Sequence, residues 1–214
     1  YPEFKSMMAD TRKLINEALD VGKMCLSETA QGYSLDIYQG FYPHVTSRGC
    51  TPAAELSRIG VATQRVGRVY GCYRTYPIRV GNIKSDNVML GYSGDGYTDQ
   101  QETSWAEVTK ASGSKFPIEE RTTVTNRVRR VFNFSKEQLL QSMSVMGVTD
   151  VCLLFADYIA SSDFGKTTMP SLHPNTIRFM EAIRASFDDI MLPINPRISI
   201  ISTGPAHSHT VDLD

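Results

Sequence analysis

The sequence has no apolar run near the roughly 20 residues that a membrane-spanning helix requires. Its start carries neither the basic residues nor the apolar core of a secretory leader. Cysteine is sparse: Cys25, Cys50, Cys72 and Cys152 stand far apart, and no Cys-x-x-Cys pair occurs. That excludes a zinc ribbon or dithiol redox motif and fits thiols kept reduced. Charge of one sign is also lacking, since 22 Lys and Arg face 23 Asp and Glu for a net charge of -1. The chain as a whole therefore has no electrostatic footprint for nucleic acid or anionic lipid. These absences predict a cytoplasmic, unanchored protein with neither a membrane nor a nucleic acid as partner. Residue 1 is Tyr rather than Met, and a segment before it is expected.

What is present is the composition of a globular domain: 214 residues, 41% hydrophobic and 21% charged. One domain over residues 1–214 is expected. Leu14, Ala18 and Val21, with Ile15 and Leu19 beside them, recur at three and four residues and predict a helix over 5–21, stopped by Gly22. The apolar Met24-Cys25-Leu26 then reads as a buried strand. The same order recurs at Ser135-Lys136-Glu137-Gln138, whose Ser-x-x-Gln spacing is that of a capping box, followed by Leu139, Leu140, Met143 and Met146 and closed by Gly147. Val151-Cys152-Leu153-Leu154-Phe155 is the unbroken apolar run of a strand covered on both faces. A third unit places Ile177, Met180, Ile183, Phe187 and Ile190 on a helix, with Pro193 and Pro196 as breakers before a strand over 198–201. Three helix-strand units predict an α/β fold with a mostly parallel sheet and crossover helices. Residues 91–115, with Gly91, Gly94, Gly96 and Gly113, read as a mobile loop.

Several stretches are candidates for chemistry. Gly165-Lys166-Thr167 follows an apolar strand as a phosphate-binding loop would. However, Ala160 and Phe164 are wrong for wrapping phosphate, and Pro170 and Pro174 break the helix that should begin at Lys166; an exposed loop is expected. His207-x-His209 lacks further ligands at a spacing that would complete a metal site and reads as a solvated tail, so no metal ligands are assigned. His44 and His173 carry no signal. Arg127, Arg129 and Arg130 follow Thr122, Thr123 and Thr125, so guanidinium groups and hydroxyls are presented on one short loop that can grip a carboxylate or phosphate. Ser202-Thr203-Gly204-Pro205 leaves the last strand in a turn, where ligands of open α/β sheets sit.

In order along the chain, these stretches resemble the adenylosuccinate synthetase family. Glu28-Thr-Ala-Gln31-Gly32-x-x-Leu35-Asp36-x-x-x-Gly40-x-Tyr42-Pro43-x-Val45-Thr46-Ser47 is similar to that family's signature with its spacing intact. Arg79-Val80-Gly81, Thr125-x-Arg127-x-Arg129-Arg130 and Ser202-Thr203-Gly204-Pro205 resemble its later motifs. The resemblance implies a ligase that phosphorylates the 6-oxygen of a purine monophosphate (IMP or dGMP) from GTP or ATP with Mg2+, and then lets the amine of L-aspartate displace that phosphate. It further implies a homodimer. Carried over by motif, the monophosphate would be held by Gln31, Gly32, Thr46, Val80, Gly81 and Arg127. Aspartate would be held by Thr123, Thr125, Arg127 and Arg129, and the triphosphate's base by Asp157, Ser202, Gly204 and Pro205.

The sequence departs from the family in three places. The glycine-rich phosphate loop and the catalytic His have no counterpart, so no catalytic residue is assigned and the chain alone is expected to be inactive. That leaves a non-catalytic purine-nucleotide-binding module as the alternative. Leu154-Phe155-Ala156-Asp157 stands where the family has Thr-Lys-Leu-Asp, keeping the Asp but replacing the Lys. Thr125-Asn126-Arg127 and Ser47-Arg48-Gly49 also differ from the family's wording, in a style resembling the phage-type branch that acts on dGMP to make the precursor of 2-aminoadenine.

Overall fold

Ser135 opens a helix as its spacing predicts: its Oγ accepts from the Gln138 amide at 2.9 Å, and Gly147 ends the helix in the left-handed region at φ 64°. The structure, a computed structural model, describes residues 2–86, 88–189 and 195–213. The chain divides into two compact units, residues 1–67 and 68–214.

The first unit contains α1 (Pro2–Lys5), α2 (Thr11–Asp20) and α3 (Pro52–Ile59). The helix expected over 5–21 is thus broken between residues 6 and 10, because the Asp10 side chain accepts from the Lys13 amide at 3.0 Å and starts a new helix there. Ile15, Ala18 and Leu19 are half-buried, but Leu14 and Val21 are exposed. The expected strand at Met24-Cys25-Leu26 is absent: the segment is irregular, and Met24 and Leu26 are 96% and 87% exposed. A three-residue apolar run does not distinguish strand from loop. Thr51 caps α3, whose first residue is Pro52, and Gly60 closes it at φ 68°.

The second unit holds β1 (Tyr70–Arg74), β2 (Ile78–Arg79), β3 (Ile83–Ser85), β4 (Val88–Gly91), β5 (Glu102–Thr103), α4 (Trp105–Ser112), β6 (Arg130–Phe132), α5 (Lys136–Met146), β7 (Asp150–Leu154), α6 (Pro174–Ser186), β8 (Arg197–Ser202) and β9 (Thr210–Asp212). The main sheet runs β1-β7-β8-β9, parallel except for β9. This is the expected α/β arrangement, since parallel neighbours need crossovers and α5 and α6 precede β7 and β8. Leu139 and Met143 of α5 and Met180 and Ile183 of α6 pack with Val151, Leu153, Ile198 and Ile201 into one core. Each such side chain contributes about 1.5–3 kcal/mol on burial. The expected helical residue Ile190 and the breaker Pro193 lie outside the described residues.

A second sheet, β2-β6-β5, is antiparallel, and β3 and β4 form a hairpin. Residues 91–115 are therefore not simply a loop. Ser104 and Glu107 form a reciprocal capping box at the start of α4, and Trp105 and Val108 are buried with Val131 in a smaller core. The strand expected to end at Phe155 stops one residue earlier, with Phe155 turned into the left-handed region at φ 65°. None of the four cysteines is joined in a disulfide among the described residues. Among the described residues, no helix is long and apolar enough to cross a membrane.

Candidate functional site

In the first unit, the loop over residues 31–50 is organised by one carboxylate. Asp36 is 1% exposed and accepts from the amides of Tyr38 (2.7 Å), Gln39 (3.1 Å) and Cys50 (2.5 Å). Burial opposes its ionisation, but the three amides outweigh that and hold its pKa below the ordinary carboxylate value. Gly40 lies so close to the Ser34 and Asp36 carbonyls that a side-chain carbon would come within 2.5 and 2.7 Å of them. Gln31 is exposed in the left-handed region at φ 76°, beside half-buried Gly32, and Thr46 is held by its amide donating to the Leu35 carbonyl at 2.8 Å. The signature thus forms one shaped loop, with Gln31 at its entrance and Thr46 on its return.

In the second unit, the threonine and arginine stretch closes on itself. The Arg127 amide donates to Thr122 Oγ1 at 3.0 Å, Thr122 and Thr125 share a hydroxyl contact of 2.6 Å, and Asn126 takes the left-handed conformation at φ 50°. Thr123, Thr125 and Arg127 are exposed, while Arg129 is half-buried. Gly81 makes the approach of this loop possible, because a side chain there would overlap the Val128 carbonyl oxygen and come within 3.6 Å of Arg127 Cβ. The result is an open cavity of about 550 Å³ lined by Gly81, Arg127 and Arg129 together with Lys84, Trp105 and Arg121. Val80, expected beside Gly81, is 54% exposed.

The three arginines have different roles. Arg130 is consumed internally: it forks onto Glu102 at 2.9 and 2.7 Å and donates to Ser93 Oγ (3.0 Å) and the Gly94 carbonyl (2.6 Å). This staple holds the 93–102 segment against β6. Arg127 and Arg129 form no ion pair with any carboxylate among the described residues, so two cations line the cavity without an acidic partner there. Such a pair suits a dicarboxylate or phosphate ligand. Trp105, whose Nε1–H donates to the Arg129 carbonyl at 2.8 Å, was missed by sequence reasoning. The Ser104-x-x-Glu107 spacing ahead of α4 could have found it.

The exits of the neighbouring strands β7 and β8 form a third constellation. Thr75 Oγ1 donates to the Phe155 carbonyl at 2.6 Å, and the Arg74 guanidinium stacks 3.8 Å from the Phe155 ring centroid. Arg74 is also paired with Glu120, to which Tyr158 donates at 3.1 Å. Phe155, where the family has Lys, is thus the partner of a cation. Asp157, in the turn after β7, has an Oδ1 that is buried without a hydrogen-bond partner among the described residues. Burial, reinforced by the Asp163 charge and opposed by His209 and its own backbone amide, pushes its pKa up to about 6.

Ser202 Oγ bonds the Gly204 carbonyl at 3.2 Å, and Pro205 is exposed beside it. Lys166 is tied to the Ser171 carbonyl and lies 3.7 Å from buried Asp163, and α6 begins only at Pro174, so Gly165-Lys166-Thr167 forms no phosphate loop on a helix. His207 is exposed, but His209 is not part of a solvated tail. It precedes β9 and accepts through its carbonyl from the buried Thr203 amide at 2.9 Å. Among the described residues, no three His, Cys, Asp or Glu side chains cluster to hold a metal ion.

Residues 1–169 match the family model described as adenylosuccinate synthetase. The N6-succino-2-amino-2'-deoxyadenylate synthase of Acinetobacter phage SH-Ab 15497 is 44% identical over 137 residues, 64% of this chain and 34% of that protein. The adenylosuccinate synthetase of Archaeoglobus fulgidus is 31% identical over 212 residues, 99% of this chain and 55% of that one. Among solved structures, the succinoaminodeoxyadenylate synthetase of cyanophage S-2L, bound to dGMP and to dATP as an energy donor, is similar with a TM-score of 0.72 at 28% identity, covering 94% of this chain and 49% of that chain. The adenylosuccinate synthetase of Plasmodium falciparum shares the fold with a TM-score of 0.76 at 18% identity. The chain spans about half the length, or less, of these relatives.

Proposed function

The chain belongs to the adenylosuccinate synthetase family, and from that premise we propose that it supplies substrate-binding parts of a ligase joining L-aspartate to the 6-position of a purine nucleoside monophosphate. The observation that carries this reading is the state of Arg127 and Arg129. On a loop built by Thr122 and Gly81, both lack acidic partners among the described residues, whereas adjacent Arg130 is saturated. Arg130 is spent on the fold, while Arg127 and Arg129 stay available to a ligand in the cavity they line. An aspartate substrate brings two carboxylates, which guanidinium forks bind in plane.

In the proposed reaction, the 6-oxygen of the purine takes a phosphoryl group from a nucleoside triphosphate. The aspartate nitrogen then bonds to C6 as the C6–O bond breaks and phosphate leaves. Arg127 and Arg129 bind and orient the aspartate, Thr123 and Thr125 add hydroxyl donors, and Val80 and Gly81 lie against the ribose. Gln31 and Gly32 hold the purine edge and Thr46 the 5'-phosphate, while Asp157, Ser202, Gly204 and Pro205 receive the triphosphate's base. Mg2+ would neutralise the triphosphate. The described residues offer no cage of His, Cys, Asp or Glu side chains for it. A homodimer and a cytoplasmic location belong to the same reading. The similarity to a phage enzyme named for a 2-aminodeoxyadenylate product favours dGMP over IMP as the monophosphate.

The test is aspartate-dependent phosphate release by the polypeptide as its gene encodes it, with dGMP or IMP and with ATP or GTP. Turnover that requires all three substrates and falls at least 100-fold in Arg129→Ala supports the reading, a loss expected when a carboxylate loses its fork. Nucleotide binding with no turnover under any combination would leave a binding module instead.

A further inference from the structure

Two polar atoms at the exits of β7 and β8 are buried without a hydrogen-bond partner among the described residues: Asp157 Oδ1 and His209 Nδ1. Each such atom costs about 1–3 kcal/mol in a folded protein. Asp157 senses the charge of His209, and a carboxylate acceptor together with an imidazole nitrogen able to donate marks a surface prepared for a ligand that presents a donor and an acceptor.

The surroundings make room for the imidazole at some expense. Gly204 has no side chain to spare, since a carbon there would come within 2.6 Å of His209 Nδ1. The Thr203 and His209 backbone bonds, with the Gly165 amide donating to the Thr203 carbonyl at 3.1 Å, fix the turn that aims the ring. Over this surface lies one aromatic ring. Phe164 stands edge-on to His209 with centroids 5.0 Å apart, and its Cε2 is 3.2 Å from where a Gly204 side chain would begin. Yet Phe164 is 57% exposed, so little holds it there.

We propose that His209 is a specificity-determining residue of the triphosphate subsite, reading an adenine edge jointly with Asp157, and that Phe164 is an aromatic placeholder which the incoming purine displaces. The proposal rests on the ligase reading above. An ionised Asp157 only accepts hydrogen bonds. With its hydrogen on Nδ1, the His209 imidazole donates. Adenine offers the complement: its 6-amino group donates to Asp157 and its N1 accepts from His209. Guanine presents two donors at N1 and the 2-amino group, one of which would face the His209 N–H with no acceptor. The mismatch is of the kind that discriminates strongly between nucleobases, because it strands buried donors.

The experiment titrates the polypeptide as its gene encodes it with MgATP and MgGTP by calorimetry, for the parent, His209→Ala, His209→Gln and Phe164→Ala. The parent is expected to bind ATP more tightly than GTP. His209→Ala should weaken ATP about tenfold and GTP by less than about twofold, collapsing the preference. His209→Gln, whose amide restores a donor, should keep most of it and serves as the comparison if the alanine variant unfolds. Phe164→Ala should tighten both nucleotides. A parent that prefers GTP, or a preference unchanged in both His209 variants, overturns the assignment while leaving the ligase reading intact. Nucleotide affinity unchanged in Phe164→Ala overturns the placeholder. Failure of the parent to bind either triphosphate would take the ligase reading down with it.

Discussion

The indole N–H of Trp105 donates to the carbonyl of Arg129 at 2.8 Å, so the first residue of α4 holds the backbone of an arginine that faces the cavity. Trp105 is 7% exposed and meets Tyr158 edge-on at 6.2 Å, which leaves the indole little freedom to move. Trp105→Phe keeps the ring and removes the donor, stranding a half-buried carbonyl. We expect a loss of about 1–2 kcal/mol in denaturant unfolding and a several-fold rise in the aspartate KM with a smaller change in kcat. A variant with unaltered aspartate KM would show that the bond serves packing alone.

Arg129 and Arg130 are neighbours in sequence with opposite predicted phenotypes. Arg130→Met removes four hydrogen bonds and strands Glu102 against β6. Glu102 is half-exposed, so the expected loss is about 2–3 kcal/mol, below that of a fully buried pair. Arg129→Met breaks no ion pair and should unfold within about 0.5 kcal/mol of the parent while losing aspartate affinity. Thermal melts and aspartate titrations on the two variants separate these outcomes, and a large stability loss in Arg129→Met would contradict the unspent state assigned to it.

Sequence patterning made the helix-strand units of the main sheet legible because they bury long periodic faces: α5, β7 and β8 fall within a residue of expectation, and α6 carries Ile177, Met180 and Ile183 as expected but ends at Ser186, short of Phe187. It did less well where a short polar signal decides the structure. Asp10 broke the first helix with a single side-chain bond, and Ser104 with Glu107 started α4 inside a stretch whose glycines suggested loop. The signature loop, the arginine loop and the two strand exits were visible as motifs. What composition could not separate was Arg130 from Arg129, since that depends on Glu102, 28 residues away, nor could it show that His209 turns inward.

In the first unit, Asp36 is predicted to hold the signature loop in its ionised form. Its folded pKa lies below the ordinary value near 4, so its contribution is present above about pH 4 and is lost as pH falls through the folded value. Asp36→Asn, which keeps the shape but removes the charge that three amides share, should cost about 2–3 kcal/mol at neutral pH. Hydrogen exchange at the Tyr38, Gln39 and Cys50 amides should accelerate in the variant at pH 7. In the parent it should accelerate only well into the acid range. Amides that stay equally protected in both proteins would mean that Gly40 and the loop's backbone bonds suffice.

Asp157 carries the opposite sign. Burial raises its pKa from the ordinary value to about 6, so the folded state favours the neutral acid. That stabilisation is complete below about pH 4 and disappears as pH rises through 6, above which the buried charge is a liability. Asp157→Asn should therefore melt higher than the parent at pH 7.5, with the gap closing toward pH 4. The side chain is only partly buried, so solvent screening limits the effect to about 1 kcal/mol, or roughly 3 °C. The same variant exchanges an acceptor for an amide whose orientation is free, and triphosphate binding should weaken as stability improves. That trade is expected of a carboxylate kept for a ligand rather than for the fold. A variant that melts lower than the parent at pH 7.5 would instead mean that the ionised carboxylate is held by a structural partner, and the strand-exit surface would lose its claim to be a binding site.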